Sequence, residues 1–157
     1  MGAFLNEKTR RASERALYST ALRLVQLITT EIIPKENPQP VDRGAYRAAW
    51  KVTKLSNGAE ITNSLPYASI IEYGARAENI KPGRRMIEAL TEWVQRKGIA
   101  GPEPGDAMRM AWAIAQAMTK RGIFNRGGDT GLRVLEKALK RLQPILDEEY
   151  ARELKRD

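Results

Sequence analysis

The chain has 157 residues, 42% of them apolar and 29% charged, and its 27 basic against 19 acidic side chains give a formal charge of +8. That length suits a single domain with enough apolar residues to bury a core. Cysteine and histidine are both absent, which excludes disulfides, thiolate zinc sites, the commonest metal ligand and the usual general base.

The positive charge favours a polyanion as partner, nucleic acid first, and serves solubility equally well. No stretch approaches the roughly 20 apolar residues of a membrane span. The start of the chain has no signal-peptide pattern, so the cytoplasm of the producing cell is the expected location.

In chain order, Leu17, Ala21, Leu24, Ile28 and Ile32 recur at helical spacing and predict a long helix from about Glu7 to Ile33, closed by Pro34. Arg10, Arg11, Arg15 and Arg23 gather in its first half, as a basic surface or a solvated outer face. Three prolines between Pro34 and Pro40 read as an extended connector. Asp42 is placed as the N-cap of a short helix over Gly44 to Ala49 that delivers the chain into a strand at Trp50.

Asn57-Gly58 supplies the two positive-φ residues of a type I′ hairpin turn between two runs of alternating polarity. This register sets Ser56 opposite Ala59, Lys54 opposite Ile61, Val52 opposite Asn63 and Trp50 opposite Leu65. One face then collects Trp50, Val52, Ala59, Ile61 and Leu65 for burial, and the other Lys51, Thr53, Glu60, Thr62 and Ser64. A hairpin alone is marginal in water, so its apolar face is expected against the long helix.

Pro66 opens a second short helix carrying Tyr67, Ile70, Ile71 and Tyr73 and ending at Gly74, with both tyrosines read as core, hydroxyl at the edge, ahead of an interface role. Ala75 to Arg85 reads as a loop bearing Arg76, Lys81, Arg84 and Arg85. Helical period returns through Ile87, Leu90 and Val94 to Gly98, then from Asp106 through Met108, Ala111, Trp112, Ala115 and Met118 to Lys120-Arg121-Gly122. Phe124 to Gly131, with glycines at 127, 128 and 131, and the adjoining helix are expected to be mobile in the free subunit and to order only against neighbouring molecules. A last helix with a stripe of Leu132, Leu135, Leu139, Leu142, Leu146, Tyr150 and Leu154 is kinked or split by Pro144.

Nothing in the sequence argues for an enzyme. Arg126-Gly127-Gly128-Asp129-Thr130-Gly131 lacks the lysine of a P-loop and reads as a turn. Glu31, Glu60 and Glu72 are scattered, Asp147-Glu148-Glu149 reads as a helix surface, and no serine or threonine has a visible base. No cofactor or metal is expected. The expected fold is α+β: a small antiparallel sheet with an Asn-Gly hairpin on a long N-terminal helix, plus C-terminal helices. It forms one domain over 1–157, with a helix-hairpin core at 1–97 and a helical extension at 98–157.

The order of amphipathic helix, Pro40-Val41-Asp42-x-Gly44-x-x-Arg47-x-x-Trp50, Asn57-Gly58 hairpin and Pro66-Tyr67-Ala68-x-x-x-Glu72-Tyr73-Gly74 resembles the neck or tail-component family of long-tailed bacteriophages, the minor tail protein Z type. That family shows an Asp-Thr-Gly-x-Leu-Arg-x-Ser segment, which Asp42, Gly44 and Arg47 match and from which Arg43, Tyr46 and Ala49 depart. Lys120-Arg121-Gly122 is similar to a later family segment, and the likeness runs from about residue 7 to 125.

The resemblance implies a structural protein of the virion neck that joins the tail to the head-closure complex. It implies a homo-oligomeric ring, expected to hold six copies, around the DNA channel, with other neck and tail proteins as partners and non-specific contact to double-stranded DNA. Gly44 would then permit tight packing and Gly74 a left-handed helix exit, while Arg10, Arg11, Arg84 and Arg85 would face DNA or partners. A tail terminator or completion protein, or a free-standing basic nucleic-acid-binding regulator, are the alternative readings.

Overall fold

The N-terminal periodicity produces α1 (Gly2–Leu27), which continues through a π-helical turn (Ile28–Ile32) into α2 (Ile33–Lys35). The structure, a computed structural model, describes residues 2–36, 44–123, 125–126 and 129–156, with side chains at 7–36, 44–123 and 131–156. Pro34 does not close the helix as expected, because the wider turn before it absorbs the missing N–H. Hydroxyls next to the turn donate back to the helix: Thr29 Oγ1 to the Val25 and Gln26 carbonyls, and Thr30 Oγ1 to Gln26, at 2.9–3.0 Å.

The chain is α+β, and its contacts divide it into two compact units, Met1–Ala68 with Arg133–Asp157, and Ser69–Leu132. In the first unit α1 carries the short helix α3 (Ala45–Ala48), a hairpin of β1 (Trp50–Leu55) and β2 (Gly58–Asn63), and the terminal helices α7 (Val134–Leu139) and α8 (Leu142–Lys155). Both strands and α8 pack on α1, while α3 and α7 pack on its π-helical turn. The last two helices, expected within a C-terminal extension, thus lie beside the N-terminal one.

Ala21, Leu24, Leu27, Ile28, Ile33, Tyr46, Trp50, Val134 and Ala138 are buried here, each of the larger apolar ones contributing about 1.5–3 kcal/mol. Tyr46 and Trp50 meet edge to face at 5.8 Å. Pro144 falls in the first turn of α8, where no N–H is needed. The break expected near it lies just ahead, between Leu139 and Leu142.

The hairpin register differs from the expected one. Leu55 pairs with Gly58, Val52 with Ile61 and Trp50 with Asn63, so Ser56-Asn57 and not Asn57-Gly58 occupy the turn. None of these three turn residues has a positive φ, so the demand that makes Asn-Gly favourable in a type I′ turn is not exercised. The slip is by two residues and leaves the faces intact: Trp50 is buried and Val52, Ile61 and Leu65 are half-buried.

Asn63 supplies the physical reason. Its Nδ2 donates to the Tyr46 carbonyl at 2.9 Å and its Oδ1 accepts from the Leu65 N–H at 3.2 Å, tying the hairpin base to α3. Moving Asn63 opposite Val52 would break the bond to Tyr46. We expect Asn63→Ala to cost about 1–2 kcal/mol and Asn57→Ala under about 0.5 kcal/mol in urea unfolding, an order that reverses if Asn57 governs the turn.

The second unit holds α4 (Ala68–Tyr73, from its second residue), a 3₁₀ turn (Ala77–Asn79), α5 (Arg84–Lys97), α6 (Asp106–Arg121) and the two-residue pair of β3 (Asn125–Arg126) and β4 (Asp129–Thr130). Ala107, Ala111 and Ala115 form the buried face of α6, where Ile87 of α5 packs with the half-buried Met86 and Leu90 beside it. Small side chains let the two helices approach. The bulky members of the expected stripe, Met108 and Trp112, lie 54% and 46% exposed on the outside.

Asp106 begins α6 without capping it. Its carboxylate accepts from Arg109 and from the Glu103 N–H at 2.9 Å, and these two partners, Arg109 first, hold the group below the usual carboxylate range. The expected loop at Ala75 pairs with Ile123 in a short antiparallel bridge. Leu132 N–H donates to the Ile71 carbonyl at 2.8 Å, bringing Gly131 against the backbone of Glu72. Of the stretch Phe124 to Gly131 expected to order only against neighbours, Phe124, Gly127 and Gly128 lie outside the described residues.

Candidate functional site

Ala12, Ala16 and Thr20 recur every four residues on α1 and are all buried, which leaves a shallow strip flanked by Arg15 and Arg23. On α8, Glu149 and Glu153 recur at the same spacing and are each 1% exposed. Arg15 Nε donates to Glu153 Oε2 at 2.8 Å, and Arg23 Nη1 to Glu149 Oε1 at 3.0 Å and Glu148 Oε2 at 2.8 Å. Partners later on α1 lie earlier on α8, so the helices run antiparallel. Glu148 first and then Glu149 hold the Arg23 guanidinium charged above its ordinary range.

The buried carboxylates are shared with α8 itself. Arg152 pairs with Glu149 and lies 3.9 Å from Glu153, and Arg156 donates to Glu153 at 3.3 Å. Arg152, Lys155 and Arg156 line a surface pocket of about 440 Å³. Among the described residues of these pairs and the pocket, Arg15, Arg23, Arg152, Lys155 and Arg156 stand against Glu148, Glu149 and Glu153, an excess of positive charge.

The expected helix surface at Glu148-Glu149 is therefore half wrong: Glu148 is exposed and Glu149 is core. The expected leucine stripe is rotated for the same reason, with Leu139 and Leu154 exposed at 45% and 40% and the two glutamates facing α1 in their place. Leu17 on α1 is likewise exposed where burial was expected. The run Glu149-x-x-Arg152-Glu153-x-x-Arg156 carried the signal, since acids four apart share a helix face and arginines three further on can fold back to them.

The other expected site residues divide between the units. In the first, Arg10 and Arg11 are exposed and paired along α1 with Glu14 and Glu7, and Arg47 is exposed at the end of α3. Trp50 is core, and Asn57 and Gly58 sit at the hairpin turn. Gly44 has φ +73° and open space where a Cβ would stand, so conformation and not tight packing requires it. Asp42 lies outside the described residues.

Tyr67 is 42% exposed, against the expected core position. In the second unit Tyr73 is 64% exposed, because a six-residue helix has one face to bury and Ala68, Ile71 and Glu72 take it. Gly74 takes the left-handed conformation expected at the helix exit. Arg84 pairs with Glu88 at 2.7 Å, and Arg85 is exposed.

Among the described residues, no group of His, Cys, Asp or Glu could hold a metal ion and no helix is long and apolar enough to cross a membrane. In comparison with known proteins, the chain matches no family model, no curated protein and no solved structure.

Proposed function

We propose that the chain is a structural subunit of the neck of a long-tailed bacteriophage virion, assembling as a closed ring of six around the DNA channel and joining the tail to the head-closure complex. The observation that carries the reading is the succession of long helix, hairpin and short helix ending in Glu72-Tyr73-Gly74, in the order and with the residues that resemble the neck family. Where those residues lie supports it: Trp50 anchors the hairpin in the core, and Glu72 offers its backbone to Gly131.

A ring needs surfaces for neighbours. The hairpin pairs with no further strand among the described residues, so each of its strands keeps an open edge. Exposed Leu17, Leu22 and Leu55 on the same unit add apolar area. A head-to-tail contact repeated around an axis closes only if its rotation divides a full turn, which a channel for DNA requires. The subunit carries no reaction in this reading.

Deleting the gene from the producing phage tests it. The expected result is DNA-filled heads and separate tails of normal length, with sixfold density at the neck of complemented particles. Tails of irregular length would favour the terminator reading, and intact infectious particles would overturn both.

A further inference from the structure

We infer that the pocket of Arg152, Lys155 and Arg156 at the C-terminal end of α8 is a phosphate-binding site for the backbone of double-stranded DNA. The inference deepens the DNA contact proposed above and rests on that reading for the choice of duplex, while the chemistry of the site stands on the geometry of one subunit.

Cations in the last turn of a helix also offset its dipole, and that role alone would account for Lys155 and Arg156 on a flat surface. Two further features require more. The first is concavity: three cationic side chains converge on one hollow of about 440 Å³, and among the described residues no acidic side chain lines it.

The second is support from beneath. Glu149 and Glu153, almost fully buried, hold the guanidiniums of Arg152 and Arg156 from the α1 side, so the donors not used in those pairs are presented outward in a fixed arrangement. Because the same carboxylates are also engaged by Arg15 and Arg23, they do not neutralise the pocket. A lone phosphate oxyanion matches a hollow of Arg, Arg and Lys, with Lys as the movable point charge.

The duplex is favoured over a single small anion by what stands beside the pocket. Antiparallel packing sets Arg11, one turn before Arg15, at the same end of the helix pair as Arg156, just beyond Glu153. Arg10 and Arg11 are 64% and 63% exposed there, and their pairs with Glu14 and Glu7 are solvent-screened i,i+4 pairs that yield readily to phosphate. The cationic surface therefore continues past one phosphate, as a backbone of regularly spaced charges demands.

The test uses purified full-length protein and a labelled duplex of mixed sequence, with binding followed by fluorescence anisotropy over a salt series. Lys155 has no ion pair among the described residues, so Lys155→Ala leaves the helix pair intact. It is expected to weaken binding about tenfold near 50 mM salt and to flatten the dependence of log affinity on log salt by about one unit. Arg156→Gln should do the same, since Arg15 remains to hold Glu153.

Lys51→Ala and Lys54→Ala, both exposed on the hairpin, each remove the same charge and are expected to change affinity less than twofold. Equal losses from the hairpin lysines would reduce the effect to net charge and overturn the site. So would unchanged binding by Lys155→Ala, or binding of inorganic phosphate alone without duplex. Ring formation is read separately by sedimentation and particle imaging, so a subunit that binds duplex at this pocket and forms no ring would strike the neck reading and leave the site standing.

Discussion

Gly131→Ala is expected to cost about 3 kcal/mol or more, whereas Gly44→Ala should cost about 1–2 kcal/mol although both glycines have a positive φ, +82° and +73°. The shared part is the left-handed backbone, which any Cβ penalises. The difference is what the Cβ meets: nothing within 4 Å at Gly44, but the backbone carbonyl of Glu72 and the N of Tyr73 at Gly131. A backbone cannot rotate aside as a side chain can. Relief requires Leu132 to withdraw from Ile71, with loss of their 2.8 Å hydrogen bond and of the contact that seats the segment on α4. Urea unfolding followed by circular dichroism measures the two costs. Amide exchange at Leu132 should accelerate in Gly131→Ala alone. Equal costs would mean that the close approach carries no energy.

Local chemistry was the legible part of this fold. Gly74 and Gly98 ended helices where expected, Pro144 marked a helix break, and the hairpin appeared between Trp50 and Asn63 with its apolar face inward. These features depend on a few adjacent residues. The register was not legible, because Asn57-Gly58 competes with a distant constraint: Asn63 reaches Tyr46, and that bond exists only once α3 and the hairpin have met. Tertiary contact overrode the turn preference.

The candidate site was hidden by the same kind of effect. Leucine periodicity over 132–154 points to an apolar interface, yet Leu139 of α7 and Leu154 of α8 stay outside while Glu149 and Glu153 go in. The run of Glu149, Arg152, Glu153 and Arg156 shows local pairing, but the burial of the two glutamates follows only from Arg15 and Arg23 at the other end of the chain. Alanines at 12 and 16, unremarkable by hydrophobicity, make the approach possible. The resemblance points to Arg10 and Arg11 as residues facing DNA or partners. It does not reach the pocket residues Arg152, Lys155 and Arg156 on α8, because nothing in their local sequence separates a pocket from a basic helix end.

The ion pairs of α1 and α8 should behave as structural bonds and not as surface decoration. Glu153→Ala is expected to destabilise the protein by about 2–3 kcal/mol, below the 3–5 kcal/mol typical of breaking a buried pair because the orphaned arginines keep access to water. Arg15 is 33% exposed and Arg156 is 71% exposed, so both can rehydrate in part once the carboxylate is gone. Arg15→Ala should cost less than Glu153→Ala, since Arg156 still serves the buried carboxylate. In a double-mutant cycle the Arg15–Glu153 coupling should reach about 1–2 kcal/mol. The Arg10–Glu14 pair on the same helix is the internal comparison: at 3.0 Å its geometry is as good, but its arginine is 64% exposed and its coupling should stay near 0.3–0.5 kcal/mol. Raising salt should erase the second coupling and leave most of the first, because screening acts on charges that solvent reaches. If both couplings were alike in size and in salt dependence, packing of Ala12, Ala16 and Thr20 alone would hold α8, and the carboxylates beneath the phosphate pocket would have no part in fixing it.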